Sequence, residues 1–338
     1  MKYMFFKRTK KSTYIIAEAA DQHFGSLDNA FKLIDGAKEA GADCIKFQHH
    51  LPDEEMLPDV PMSDNFDTPL YDFLKENAFT IKQHKKVKEY CENTGIDFLC
   101  TPFSLKAAEE LLTIGVQFFK IGSGEMTDIP TISAIADMGL PMIVSTGMST
   151  FEEIDRTYNL LTKKNIKFAL MNCTSEYPPI YEDINLKVIS IMQKRYPEAT
   201  IGHSDHTGDL ITSYGAVSLG AKLIEKHIIL DKTIKAPDQK VSIDLEELKE
   251  LVQNIRNLEK SLGDEKKVNT KENPIRDWAF RSIVSLRKIN IGEKITQDMI
   301  WSKRPGTGIP SHMMNEIIGK VAINEIQENT LLKMEDLR

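Results

Sequence analysis

The sequence predicts an α/β fold: a (β/α)8 TIM barrel followed by a small β-rich domain. Three observations carry that prediction. Short β-type runs alternate with longer amphipathic stretches, eight of them within about 215 residues, and strict alternation implies a parallel sheet. Eight repeats fit a closed barrel better than an open doubly wound sheet of five or six strands, and no G-x-G-x-x-G follows the first run. After a charged stretch at 264–278 the pattern changes to short strands and turns.

In chain order the β runs are YIIAEA (14–19), CIKFQ (44–48), DFLCTPF (97–103), FFKIGS (118–123), MIVSTG (142–147), FALMNC (168–173), TIGHSD (200–205) and LIEKHII (223–229). Between them, stretches such as NAFKLIDGAKEAG and TISAIADMG repeat apolar residues at three- and four-residue spacing and end in glycine, a helix stop. STFEE at 149–153 reads as a capping box, and DLEELKELVQNIRNLEKSLG supplies the eighth helix. The spacing breaks once, at HHLPDEEMLPDVPMSDNFDTPLYDFLKENAF after the second run. A loop of that length at a βα position is expected on the catalytic face. The domain boundaries follow: barrel 1–263, linker 264–281, and a second domain 282–338. A domain that small is expected to pack on the barrel or on a partner subunit.

Composition limits the function. The chain has 338 residues, 41% hydrophobic and 28% charged, with a formal charge of −7. That balance argues against nucleic acid as a partner, and KRTKK at 7–11 reads as a solvated extension leading into a strand. Apolar runs are far shorter than the roughly 20 residues of a membrane span, so no membrane association is expected. Cys44, Cys91, Cys100 and Cys173 have no CxxC spacing. With no apolar leader, a reduced, cytoplasmic setting is the simplest reading.

In a barrel of this kind the chemistry sits at the C-terminal ends of the strands. Collected by position, those residues are Glu18; Lys46 and Gln48; Thr101; Lys120, Ser123 and Glu125; Ser145 and Thr146; Asn172, Thr174 and Ser175; Ser204, Asp205 and His206; Lys226 and His227. Hydroxyls and lysines around one mouth suit an anion such as phosphate, each donating hydrogen bonds or charge. His206 and His227 end adjacent strands. They can hold a divalent metal with positions left open for water and substrate, or serve as satisfied structural histidines. Ser204, Asp205 and His206 do not form a hydrolase triad, because consecutive strand residues alternate faces. His203 is expected to face the helix layer.

The motifs IIAEAADQHFGS, GADCIKFQ, FLCTPFS, FKIGSGE, IVSTGM, NCTSEYP, GHSDHT, GAKLIEKHIILD and APDQKVS stand in the order and spacing of the bacterial sialic acid synthases. That family makes N-acetylneuraminate, legionaminate and pseudaminate. WSKRPGTGI resembles its C-terminal antifreeze-like (SAF) domain. The resemblance covers about 15–335 and implies a metal-dependent condensation of phosphoenolpyruvate with an open-chain N-acetylated amino sugar, giving a nine-carbon 2-keto sugar acid and phosphate. It implies that Lys46, Thr101, Lys120, Ser123, Ser145, Ser175 and Ser204 bind phosphoenolpyruvate. His206 and His227 would hold Mn2+, or Mg2+ or Co2+, and polarise the sugar aldehyde. Gln48, Glu125, Tyr177 and Asp238 would contact the sugar, and Glu18 would sit near the attacking water or the developing charge. Arg304 would reach into the partner subunit's site of a homodimer with swapped C-terminal domains.

Two stretches depart from the family pattern. NHNG becomes QHFG, with Gln22 and Phe24 in place of asparagines, and GPDH becomes APDQ, with Gln239 in place of a histidine. Both fall where the sugar would sit, as does the long loop with His49 and His50, which follows no family pattern. N-acetylmannosamine is the expected acceptor, with a 2,4-diacetamido-trideoxy hexose, as in legionaminate and pseudaminate synthases, as the alternative. Two further readings are a Schiff-base aldolase using Lys120 or Lys226 and an inactive sugar-binding homologue.

Overall fold

A computed structural model describes residues 4–61 and 68–338. Residues 62–67 of the long loop after the second strand lie outside the described residues. The chain divides into two compact units, Met1–Leu262 and Gly263–Arg338.

In the first unit eight parallel strands form a nearly closed barrel. They are β1 Tyr14–Glu18, β2 Cys44–His49, β3 Asp97–Pro102, β4 Phe119–Ile121, β5 Met142–Ser145, β6 Phe168–Cys173, β7 Thr200–Asp205 and β8 Leu223–His227. Ladders run in the order β3-β2-β1-β8-β7-β6-β5-β4, and β3 packs beside β4 across the remaining gap. All eight runs read from the sequence are strands. The run at 118–123 shortens most, because the chain turns at Gly122 towards the cavity.

Amphipathic helices surround the barrel, and their ends follow local chemistry. Thr150 accepts from the Glu153 backbone N–H while Glu153 reaches back to Thr150, the capping box read in STFEE. Asp244 and Glu247 do the same for the eighth helix, Leu245–Ser261. Gly41 ends the helix Leu27–Ala40 at φ 88°, a left-handed conformation that glycine adopts without a Cβ clash.

Alternation along each strand sorts side chains into two environments. Ile15, Ala17, Ile45 and Phe47 face the helices and join the larger core. Tyr14, Ile16, Cys44, Leu99, Ile143, Ala169, Met171 and Leu223 point inward and close the bottom of the barrel. The next inward positions, nearer the C-terminal ends, are polar. Gly202 belongs to the inward set: a Cβ there would come 2.8 Å from the Leu223 Cβ and 3.0 Å from its carbonyl oxygen. Only glycine lets β7 and β8 approach this closely.

The second unit is built on an antiparallel pair, β9 Ser282–Ser285 with β10 Ile300–Lys303. Its core is Ile283, Ile289, Ile295, Ile300, Ile317 and Leu332 with their neighbours. The stretch read as a linker, 264–281, carries a short helix, Asn273–Ala279. All four cysteines are free and buried. Among the described residues no helix is long and apolar enough to cross a membrane.

Candidate active site

The polar layer opens into a cavity of about 410 Å³ at the C-terminal end of the barrel. Its floor is a set of buried charges on inward positions. Lys46 Nζ lies 3.0 Å from Glu18 Oε1 and 3.6 Å from Glu225 Oε1, and it donates to Thr101 Oγ1 at 3.2 Å. Lys120 Nζ donates to Ser145 Oγ at 2.7 Å and stands 3.7 Å from Glu225 Oε1. Ser204 Oγ donates to the same Glu225 oxygen at 3.1 Å.

Burial presses both lysines towards the neutral form. For Lys46 the two carboxylates outweigh it and hold the ammonium above the ordinary lysine value; for Lys120 burial prevails and its pKa falls. Burial raises Glu18, against the pull of Lys46, whereas Lys120 and Lys46 overcome burial at Glu225 and keep it ionised. Glu18 Oε2 and Glu225 Oε2 are buried with no hydrogen-bond partner. Buried polar atoms are ordinarily satisfied, so these acceptors mark a site that a ligand or water completes.

Above the floor, at the ends of β7 and β8, stand the two imidazoles, ring centroids 5.3 Å apart. His206 Nδ1 donates to the Thr174 carbonyl at 2.8 Å, which fixes the ring and turns Nε2 to the cavity, where the Tyr177 hydroxyl lies 3.3 Å away. His227 Nδ1 has no hydrogen-bond partner and stands 3.6 Å from Asp238 Oδ2. Burial, reinforced by His206, keeps His227 well below the ordinary histidine value, so its ring is neutral. Burial opposes charge on His206 too, but Cys173, its Sγ 3.7 Å from Nδ1, carries the pKa up to about 9. Burial, with Asp21 and Glu18 nearby, pushes Asp238 up to about 7. Among the described residues no group of three or more His, Cys, Asp or Glu could hold a metal ion. Two neighbouring imidazoles can supply at most two protein nitrogens to a divalent ion, leaving its other positions to water and substrate oxygens.

Every barrel residue expected at the site through the resemblance lines this cavity: Glu18, Lys46, Gln48, Thr101, Lys120, Ser123, Glu125, Ser145, Ser175, Tyr177, Ser204, His206, His227 and Asp238. Arg304 belongs to the second unit, exposed, its guanidinium over the Trp278 ring at 5.0 Å.

Some positional expectations are corrected. Asp205 and Lys226 face the helix layer, paired at 3.2 Å, with Asp205 also accepting from Thr212 and Ser213 and Lys226 donating to the Thr207 carbonyl. Alternation along β7 and β8 places them behind the wall, so Lys226 is withdrawn as a Schiff-base nucleophile. Thr146, Asn172 and Thr174 line a neighbouring cavity instead. His203 faces outward as expected, bonded to the Asn172 carbonyl at 3.0 Å. Gln239 donates to the Lys232 carbonyl at 2.6 Å and does not line the cavity.

Gln22 and His50, from stretches read as lying where the sugar would sit, also line the cavity, and sequence reasoning missed Glu225 and Asp21. For Glu225 the signal was present: if His227 points in, so does the residue two before it. Nothing in the sequence signalled which of His49 and His50 turns towards the cavity or that Glu55 holds it there.

Fold and site together define a TIM-barrel enzyme whose mouth gathers buried lysines, hydroxyls and two imidazoles. The model of the NeuB family matches residues 33–267, and that of the SAF domain matches 280–338. The chain belongs to the NeuB family and is a synthase of the sialic-acid type. It is 34% identical to the N,N'-diacetyllegionaminic acid synthase of Campylobacter jejuni, across 96% of this chain and 99% of that one. It is 34% identical to the human N-acetylneuraminate-9-phosphate synthase, across 96% and 92%. A crystal structure of the sialic acid synthetase from Leptospira borgpetersenii, in complex with citrate, matches with a TM-score of 0.72 at 33% identity, covering 78% of this chain and 90% of that one.

Proposed function

We propose that this chain condenses phosphoenolpyruvate with the open-chain form of an N-acetylated amino sugar, N-acetylmannosamine first among them, to give a nine-carbon 2-keto sugar acid of the N-acetylneuraminate type and phosphate. The observation that carries this reading is a single cavity that gathers lysines and hydroxyls on its floor and two imidazoles nearer its rim. Lys46, Lys120, Thr101, Ser123, Ser145, Ser175 and Ser204 bind the phosphate and carboxylate as fixed cationic and hydroxyl donors. His206 and His227 would hold Mn2+, or Mg2+ or Co2+, which when bound supplies Lewis acidity at the sugar aldehyde.

The enol carbon of phosphoenolpyruvate attacks that aldehyde carbon, and water adds to the cationic C2 this creates. The adduct collapses to the ketone by breaking the C2–O bond to phosphate. Glu18, a buried carboxylate with one free oxygen beside Lys46, faces the developing positive charge and the water. Gln48, Glu125, Tyr177 and Asp238 hold the sugar hydroxyls.

A 2,4-diacetamido-trideoxy hexose is the second acceptor considered, favoured by Gln239 being turned out of the cavity where the family carries a histidine. Phosphate release with phosphoenolpyruvate and Mn2+ decides between them. Turnover is expected with N-acetylmannosamine and not with either 2,4-diacetamido-trideoxy hexose; the reverse order reassigns the acceptor. No release with any of the three rejects the condensation.

The site is completed by a partner subunit in a homodimer with swapped second domains, in a cytoplasmic enzyme. Five of the eight βα loops carry exposed apolar residues, Phe24, Leu57, Met148, Ile180 and Ile234. The second unit exposes Trp278, Phe280 and Trp301 near Arg304. Exposed apolar surface of this extent favours a covering partner. Arg304 would bind the N-acetyl group of the sugar on that partner. Co-expressed Arg304→Ala and His206→Ala chains are then expected to recover about one quarter of wild-type phosphate release, because half the dimers carry one intact shared site. No recovery places Arg304 and His206 in the same subunit's site.

A further inference from the structure

The sequence places two histidines together at the end of β2, and they go different ways. His49 turns outward, its Nε2 2.9 Å from Glu110. His50 folds back beneath the cavity, 7% exposed, its ring stacked on Phe103 with centroids 4.1 Å apart. Its Nδ1 lies 2.9 Å from Glu55 Oε1 and its Nε2 lies 2.9 Å from Gln48 Oε1. Gln48 in turn donates from Nε2 to Glu18 Oε1 at 2.8 Å, the oxygen that Lys46 also meets.

These contacts leave one consistent polarity. Glu18 Oε1 faces the Lys46 ammonium and accepts, so the Gln48 amide nitrogen donates to it and the amide oxygen faces His50. That oxygen requires a donor, so His50 Nε2 carries a proton. Glu55 likewise only accepts, so Nδ1 carries one as well. Were either proton missing, lone pairs would face each other in a buried site, which costs far more than the bond is worth.

We propose that His50 is a positioning residue that, anchored by Glu55, locks the Gln48 amide and through it the orientation of Glu18. This rests on the proposed condensation, in which Gln48 holds the acceptor sugar. The lock leaves Gln48 one free N–H to aim at a sugar oxygen. Without it the amide oxygen loses its partner, the Gln48 side chain is held from the Glu18 end alone, and its free N–H is no longer aimed at the sugar. The acidic groups around His50 come from separate elements: Glu55 from the helix Pro52–Glu55, Asp21 at 4.0 Å from the loop after β1, and Glu125 from the loop after β4. Burial opposes charge on the ring, but these carboxylates outweigh it.

The test pairs kinetics with a spectroscopic signature in the full-length protein. His50→Phe preserves the stacked ring and removes both hydrogen bonds; His50→Gln can restore the donor to Gln48. The KM for the amino sugar should rise about ten- to hundredfold in His50→Phe, the size of a lost hydrogen bond to a charged network, while the KM for phosphoenolpyruvate stays within about twofold. His50→Gln should recover most of that loss. Unchanged kinetics in His50→Phe, or equal losses for both substrates with no recovery in His50→Gln, overturns the proposal. Nitrogen-15 NMR of labelled histidines, with His50 assigned by its absence in His50→Phe, should show both ring nitrogens protonated at neutral pH; a neutral ring overturns the proposal. The NMR arm decides even if the wild-type protein releases no phosphate, an outcome that would reject the condensation instead.

Discussion

His206→Ala is expected to abolish metal-dependent turnover while leaving the protein folded. In the proposed reaction the imidazole pair, His206 and His227, is what the barrel would offer a divalent ion. Removing one of two nitrogens leaves a single neutral ring, His227, with Asp238 3.6 Å from it. The aldehyde then loses the several kcal/mol of charge stabilisation that a Lewis acid gives, so kcat/KM should fall by about a thousandfold or more. His206 sits at the rim just past the end of β7, where its side chain makes one backbone hydrogen bond to Thr174, so the melting temperature should change little. Calorimetric titration with Mn2+ and phosphate-release assays check both halves. Full activity with an empty metal site would sink the assignment.

The second large effect concerns Glu225, which touches Lys46, Lys120 and Ser204 at the bottom of the cavity. Glu225→Gln keeps the shape and removes the charge, leaving two buried ammonium groups with Glu18 alone to oppose them. Breaking a buried charge network in this way costs about 3 kcal/mol, and the melting temperature should drop by about 5 °C or more. Inorganic phosphate supplies the missing negative charge, so it should raise the melting temperature of the variant more than that of the wild type. The pH dependence has a definite sign. The folded pKa of Glu225 lies below its ordinary value of 4.5, so its contribution is fully present above that value and lost as pH falls through the folded pKa. The gap between variant and wild type should therefore close in acid. Equal stability of the two proteins at pH 7, or a phosphate response no larger in the variant, would remove Glu225 from the charge balance of the floor.

The barrel was legible because its signal is repetitive. Each buried parallel strand is a short apolar run, each helix has a 3.6-residue period, and local caps such as Thr150 with Glu153 mark the boundaries. Most of the cavity was legible once strand ends were aligned, since inward positions recur every second residue. The errors came from reading strand ends as clusters rather than as alternating faces. Lys226 was placed at the mouth and Glu225 overlooked, although one peptide step puts them on opposite sides of the wall. His50 was illegible for another reason. Its role depends on a four-residue helix, Pro52–Glu55, bringing Glu55 back beneath it, and no periodicity announces such a loop. Tyr177 and Asp238 likewise stand on irregular loops, which is why strand alternation reads the floor of the cavity more firmly than its rim.

The outward pair Asp205–Lys226 stands one residue before His206 and His227 respectively, matched across the β7–β8 ladder. Its charges lie in the dry layer under the helices, where neither salt nor ligand screens them as it would at the mouth. The separation of the two imidazoles is thereby set from behind, insulated from whatever fills the cavity. The part of the barrel most open to solvent chemistry takes its spacing from the part most closed to it.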